Sequence, residues 1–285
     1  MALRGKKPEE KDKRLKMLLF SPAGIGKTMA AIQMPNPYII DTEAGTSHYG
    51  ELIEKSGGSV WASTELIDII EEVKQLATTK HNFRTLVIDP ITIPYEAKME
   101  EGATDPKIGD DYGKHIAYAN RYMAALFRLL GLLDMNVVVT SHAKLVYKDG
   151  KEAGVTFDGW KKLDYIFDLA LELQRRGNKR VAVIRKTRLE AFPDQETFDW
   201  SFEELARRAG EGELIRAAAP VEMASKEQFE ELKRKVKAMN VSSDETDKWL
   251  TKEGITSFSE MTAERIGKYI DGLNKKLAEA EGATE

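Results

Sequence analysis

The sequence predicts an α/β fold with a mostly parallel central sheet, followed by a small all-helical domain. Three observations lead there. Short apolar runs at 17–20, 38–41, 86–89 and 137–141 alternate with longer stretches whose apolar residues recur every three or four positions. A glycine-rich segment, SPAGIGKT, lies between the first run and the first helical stretch. Beyond about residue 225 only helical spacing remains.

Taken in order, residues 17–20 read as a strand, 21–28 as a loop, and 29–34 as a helix that Pro35 and Pro37 bring to an end. Residues 38–41 begin a second strand at once. Thr64 is suited to cap a helix in which Leu66, Ile67, Ile70, Val73 and Leu76 form one face, and 86–89 make a third strand. From about 116 to 133, Tyr122, Met123, Leu126, Phe127 and Leu130 mark another helical face, which leads into a fourth strand at 137–141. The runs 169–173 and 181–184 flank the turn-like Arg176, Gly177 and Asn178, predicting an antiparallel hairpin at one side of the sheet.

Residues 206–224 lose any sustained period and read as a linker. Ser225 followed by Gln228 forms a capping-box pattern, after which Phe229, Leu232, Val236 and Met239 line one helix face. Trp249 and Leu250 belong to a second short helix ended by Gly254, and Ile266, Tyr269, Ile270 and Leu273 to a third. The expected division is a charged arm (1–14), a nucleotide-binding core (15–205), a linker (206–224), a helical domain (225–275) and a charged tail (276–285).

Composition narrows the function. With 42% hydrophobic and 32% charged residues the chain is globular, and no apolar run approaches the ~20 residues of a membrane span. Arg4, Lys6 and Lys7 are followed by more charge where a signal peptide needs an apolar region, so a cytoplasmic protein is expected. The absence of cysteine excludes disulfides and thiolate chemistry. His48, His81, His115 and His142 are too widely spaced for a metal motif. A net charge of −4 argues against a uniformly basic coat protein for nucleic acid, while permitting a local basic stripe.

The strongest signal is Pro22, Ala23, Gly24, Ile25, Gly26, Lys27, Thr28 and Met29, a phosphate loop between a strand and a helix. Gly24 and Gly26 let backbone N–H groups turn inward on phosphates, Lys27 reaches the β- and γ-phosphates, Thr28 ligates Mg²⁺, and the helix adds its N-terminal dipole. Ser21 stands where the usual pattern has glycine, a small replacement. Thr85 to Asp89, four residues and then an acid, has the form of a Walker-B strand, making Asp89 the second Mg²⁺-side residue. Many such ATPases place a glutamate directly after that aspartate, but here the position is Pro90. Glu43, at the end of the second strand, is therefore the expected catalytic base, with Asp41 as its rival.

This layout, with Asp41-Thr42-Glu43 ending the strand after the phosphate-loop helix, resembles the RecA-like ATPase core over about residues 15–205. More closely, it is similar to the compact RecA-like ATPases of bacteriophages grouped with recombination and single-strand annealing proteins. That resemblance implies ATP as the nucleotide, single-stranded DNA as a partner, assistance to recombination or annealing, and often a single-stranded DNA-binding protein nearby. No guanine-specific N-K-x-D motif argues otherwise. The resemblance also implies a γ-phosphate sensor at a central strand tip, where Thr140, Ser141 and His142 stand, and a basic K-x-R pair reaching a neighbouring subunit, where Lys186 and Arg188 stand, with Arg185 and Arg180 as substitutes. Such a pair requires self-association into a ring or filament.

The segment 144–162 carries Lys144, Lys148 and Lys151, with Tyr147 and Trp160 interleaved, and is a candidate loop for neutralising phosphates and stacking bases. A solvated lysine-rich loop has the same composition, and Trp160 is as well suited to a core. Two other functions stay open: a nucleotide-dependent switch such as a helicase loader, and a small-molecule kinase, for which no arginine-rich lid is evident.

Overall fold

The computed structural model describes residues 14–253, 255 and 257–282. In chain order these form β1 (Lys16–Ser21), α1 (Lys27–Ile32), β2 (Pro37–Asp41), α2 (Gly50–Lys55), β3 (Ser59–Ala62), α3 (Leu66–Thr78), β4 (Thr85–Asp89), α4 (Thr92–Thr104), α5 (Lys114–Leu132), β5 (Asn136–Lys148) and β6 (Lys151–Phe157). The chain continues through α6 (Leu163–Ile166), β7 (Leu169–Arg176), β8 (Lys179–Thr187), β9 (Thr197–Asp199), α7 (Phe202–Ala209), α8 (Glu211–Ile215), α9 (Lys226–Ala238), α10 (Ser243–Glu253) and α11 (Ala263–Gly282).

The strands form one mixed, mostly parallel sheet in the order β3-β2-β4-β5-β1-β7-β8-β9, with β6 joined to β5 alone. β8, β9 and β6 are antiparallel to their neighbours. The central strands are short unbroken apolar runs because both faces are covered: Met17, Leu18, Leu19, Leu86, Val87, Ile88, Val137, Val138 and Val139 have no exposure. One face gathers Met17, Leu19, Ile39, Val87, Val138, Leu171 and Leu173 with Ile32 of α1, Ile53 of α2, Leu205 of α7 and Leu214 after the start of α8. β5 lies between β1 and β4, and the register sets Ser21 beside His142 and Asp41 beside Asp89. The carboxyl ends of β1, β2 and β4 therefore open level with one another and with the Thr140–His142 stretch of β5 at a single sheet edge, where open α/β sheets bind ligands.

The chain divides into two compact units. The first runs to Leu66 and adds Asn82–Ile116 and Met135–Ala218; it holds the whole sheet. The second comprises Ile67–His81, Ala117–Asp134 and the chain from Ala219 onward. The helices expected over 225–275 thus share a unit with α3 and α5. Arg128 of α5 pairs with Glu260, Val221 N–H donates to Ala77 O (2.7 Å), and Ala219 N–H to an Asp134 carboxylate oxygen (2.9 Å). Its small core contains Leu232, Met261, Ile266, Ile270 and Leu273, against which Phe229, Trp249, Phe258 and Tyr269 pack. The Ser225–Gln228 capping box forms as read from the sequence.

Several elements differ from the sequence reading. Residues 206–224 are no simple linker: α7 ends and α8 lies within them, and Leu214 is buried. Arg14, assigned to the charged arm, is 6% exposed and donates to the carbonyls of Glu213, Arg216 and Ala217, satisfying acceptors left after α8. The rest of the arm, and Gly254 as a helix stop, lie outside the described residues. Ser63 rather than Thr64 bonds at the start of the third helical stretch, accepting from Glu65 N–H at 3.2 Å. The segment 144–162 is not one loop but the far half of β5, all of β6 and the chain to α6. The third C-terminal helix runs on through Gly282, into the stretch read as a tail. No described helix is long and apolar enough to cross a membrane.

Leu171 is fully buried at the heart of the sheet face. Leu171→Ala should cost about 2–5 kcal/mol of stability, seen as a lower urea midpoint at unchanged slope.

Candidate functional site

The phosphate loop leaves the end of β1 and turns into α1 through Gly24 (φ 74°) and Gly26 (φ 109°), conformations that only glycine adopts without strain. Ala23, Gly24, Gly26, Lys27, Thr28 and Met29 line a cavity of about 260 Å³, together with Glu43, Tyr49, Asp89, His142 and Arg180. The Lys27 ammonium bonds back to the loop, to Ser21 O (3.0 Å) and Pro22 O (3.4 Å), so these carbonyls hold the charge over the place where phosphates belong. Burial lowers the Lys27 pKa, while the Asp89 and Glu43 charges favour the ammonium. α1 has only six residues, so backbone N–H groups and Lys27 carry more of the phosphate reading than a helix dipole does. Of the loop residues named from the sequence, Pro22 and Ile25 do not line the cavity; Ile25 packs on the sheet core instead.

Asp89 ends β4 at 5% exposure. Thr140, at the facing position on β5, donates to its carboxylate, and so does the Thr28 hydroxyl. Burial raises the Asp89 pKa, against these hydroxyls and the Lys27 charge, which pull it down. A hydroxyl and a buried carboxylate are hard oxygen donors of the kind Mg²⁺ takes in company with phosphates, and a cation there would offset the cost of burying the charge. Thr28 and Asp89 thus fit the metal the sequence implied.

Asp41 and Glu43 separate cleanly. Asp41 is 3% exposed, and its carboxylate accepts from the N–H groups of Glu43 (3.1 Å), Gly45 (3.1 Å) and Thr46 (2.9 Å) and from the Thr46 hydroxyl (2.5 Å). With every lone pair engaged it folds the chain between β2 and α2 and has no capacity for a water. Glu43, two residues on, turns into the cavity, where its carboxylate meets His142 Nε2 at 2.7 Å. Strand alternation explains the behaviour of the β5 tip: Thr140 and His142 share a face, and Ser141 takes the other. The Ser141 hydroxyl donates to Asp158 O (2.5 Å), fastening β5 to the end of β6, and does not line the cavity. Of the two sensor candidates, His142 alone lies at the site.

Lys186 and Arg188 stand at the opposite edge of the sheet from this loop, since Thr187 pairs with Leu169 and Leu169 with Met17. There Lys186 donates to Phe167 O, and Arg188 to Tyr165 O (2.6 Å) with Asp168 at 3.5 Å. The basic residue at the loop itself is Arg180, whose Nε donates to Ile25 O (2.7 Å); Arg175, its partner across the β7–β8 hairpin, reaches Gly24 O (3.3 Å). Arg180 was named from the sequence only as a substitute, because nothing there shows that an antiparallel hairpin returns beside the loop. Tyr49 carried no sequence signal. Lys144, Lys148 and Lys151 lie on β5 and β6, with Lys144 paired to Asp158 (2.9 Å) and Lys148 opposite Lys151. Tyr147 between them is exposed, but Trp160 is buried, so it belongs to the core and not to a stacking surface.

A glycine-rich loop, its lysine and threonine, and an aspartate two strands away across an intervening β5 define a P-loop NTPase with a RecA-like fold. The chain belongs to the AAA domain family, which matches residues 13–190. No curated protein is matched. Among solved structures it is similar to the RadB recombinase, at 17% identity and a TM-score of 0.44 over 73% of this chain and 91% of the other. It is also similar to an ATPase from the type III secretion system of pathogenic bacteria, at 12% identity and a TM-score of 0.38 over 92% of this chain and 79% of the other. Likeness at these TM-scores does not bear on what this chain does.

Burial pushes the Asp41 carboxyl up, but the bonds from Thr46, Glu43 and Gly45 outweigh it and hold the pKa below its usual value. A carboxyl depressed in the folded state contributes stability that is complete above the unfolded pKa of about 3.9 and fades as pH falls through the lower folded value. Asp41→Asn should therefore cost about 1–3 kcal/mol at pH 7. The gap to the wild type, followed by thermal unfolding, should narrow below about pH 4.

Proposed function

We propose that this chain is a Mg²⁺-dependent ATP hydrolase acting on single-stranded DNA, of the bacteriophage kind that assists recombination or annealing. The observation that carries the hydrolase reading is Glu43 facing Lys27, Thr28 and Asp89 in one cavity, while the residue after Asp89 is a proline. Thr28 and Asp89 would hold Mg²⁺, which when bound would supply charge neutralisation at the phosphate oxygens. Lys27 leaves Ser21 O and Pro22 O for the β- and γ-phosphates, where its charge stabilises the transferring group. Glu43 orients a water toward the γ-phosphorus and takes its proton as the new P–O bond forms and the bond to the ADP oxygen breaks. His142, at 2.7 Å, fixes the Glu43 carboxylate.

The DNA reading is supported by the hairpin of β5 and β6. Beyond His142 the same strand continues outward with Lys144 and Lys148, Lys151 follows the turn, and Leu145, Val146 and Tyr147 are exposed. Charge to neutralise phosphates and a ring to stack on are the two things a sequence-tolerant single-strand contact needs. One continuous strand then joins the DNA contact to the residue that holds the base. Self-association into a ring or filament belongs to the same reading, with Lys186 and Arg188 as the residues a neighbour would meet.

Phosphate release from Mg·ATP should rise when single-stranded DNA is added. Lys27→Ala and Glu43→Gln should each lower it by at least about 100-fold, with ATP binding retained in Glu43→Gln. Turnover indifferent to DNA would favour the nucleotide switch, and undiminished turnover in Glu43→Gln would remove it as the base. For the hairpin, Lys148→Ala with Lys151→Ala should weaken oligonucleotide binding and reduce the slope of log affinity against log salt by about 1.4, measured by fluorescence anisotropy. An unchanged slope would place the DNA elsewhere.

A further inference from the structure

The carbonyls of the phosphate loop are nearly all engaged, and by donors of two origins. Lys27 of the loop itself donates to Ser21 O and Pro22 O, and Gly26 O accepts the first bond of α1 from Ala30 N–H (3.0 Å). The others are met from the β7–β8 hairpin: Arg175 donates to Gly24 O (3.3 Å), and Arg180 Nε donates to Ile25 O (2.7 Å). Gly26 N–H, by contrast, donates to no acceptor among the described residues. A turn whose carbonyls are held while its N–H groups converge is an anion-binding concavity.

The placement of the two arginines is unfavourable for the hairpin alone. Arg175 and Arg180 stand directly opposite each other across it, where like charges repel. Among the described residues neither is paired with a carboxylate, whereas Lys179 meets Asp199 (2.5 Å). Arg176 between them reaches only the Gln174 side chain (3.4 Å). Arg180 is fixed from behind, since Trp200 N–H donates to Arg180 O (2.8 Å) and the next residue, Val181, pairs with Asp199 of β9. Its Nε lies so close over Gly26 that a Cβ there would come within 2.6 Å.

The peptide bonds of the loop are trans, and in a planar trans peptide the C=O and the following N–H point opposite ways. A carbonyl drawn to the hairpin therefore turns the next N–H away from it. We propose that Arg180, aided by Arg175, is a positioning residue for the nucleotide phosphates: by holding the Ile25 and Gly24 carbonyls it keeps the N–H groups of Gly26 and Ile25 aimed into the phosphate cavity. This rests on the phosphate-loop reading above and deepens it, because it makes the shape of the loop depend on a hairpin distant in sequence as well as on its glycines.

The test measures binding of Mg·tripolyphosphate and Mg·ATP to the full chain by calorimetry, with turnover followed by phosphate release. Arg175, Arg176 and Arg180 are all exposed, so the folded state tolerates their replacement, which thermal unfolding checks. Arg180→Ala should weaken both ligands alike, by roughly tenfold, and Arg175→Ala by less. Arg180→Lys, which keeps a cationic donor for Ile25 O, should recover most of the loss. Arg176→Ala removes the same charge from the same hairpin without a loop bond and should bind as the wild type does. A residue that shapes the loop acts on ground and transition states equally, so Arg180→Ala should raise KM and leave kcat at saturation unchanged. Unaltered binding in Arg180→Ala, an equal loss in Arg176→Ala, a loss that Arg180→Lys does not recover, or a fall in kcat at unchanged KM each overturns the positioning role and leaves the phosphate loop standing. Failure of the wild type to bind either ligand overturns the loop reading, and the positioning role with it.

Discussion

Burying the Asp89 carboxylate at the end of β4 obliges its neighbours to supply donors, and the hydroxyls of Thr140 on β5 and Thr28 on α1 supply them. That requirement binds three parts of the chain at one point. β5 must lie beside β4, and the phosphate loop must come close enough for Thr28 to reach across. Thr42 adds a further tie from β2, its N–H donating to Asp89 O (2.9 Å) and its hydroxyl to Pro90 O (2.7 Å). Glu43 follows directly, so its placement in the cavity derives from the bonds that anchor the residue before it.

The two acids of Asp41-Thr42-Glu43 show how one turn serves folding and chemistry with identical functional groups. Asp41 is buried and saturated by backbone donors, which makes it a fastener. Glu43 meets a single imidazole and faces the cavity, which leaves it lone pairs for a water. Position along the strand end decides the role. Ser141 and His142 divide in the same manner: alternation sends one hydroxyl to Asp158 and the other side chain to Glu43.

What the sequence made legible follows the range of the forces involved. The four central strands and the phosphate loop are local patterns, apolar runs and a glycine-lysine-threonine spacing, and were readable as such. Asp89 and Glu43 can be named as candidates from the sequence because a parallel sheet brings strand ends to one edge. The short edge strands β3 and β9 lack enough residues to show alternation, and β6, with Gly154 and the charged Lys151 and Glu152, reads as loop. Its strand state comes from pairing with the extension of β5. α4 has no apolar stripe at helical spacing and was missed for that reason. Arg180 and Arg175 reach the loop only because β7 and β8 fold back beside it, a tertiary fact with no local signature. The grouping of α3 and α5 with the C-terminal helices likewise depends on contacts distant in sequence, such as Arg128 with Glu260.

The central claim is that Glu43 serves the phosphates held by Lys27, with Mg²⁺ on Thr28 and Asp89. It is tested most directly by a crystal structure with Mg²⁺ and a non-hydrolysable ATP analogue. The account predicts the Lys27 amine released from Ser21 O and Pro22 O onto the phosphates, the metal between Thr28 and Asp89, and a water between Glu43 and the terminal phosphorus. A Glu43 side chain turned out to solvent, with another carboxylate on that water, would contradict it.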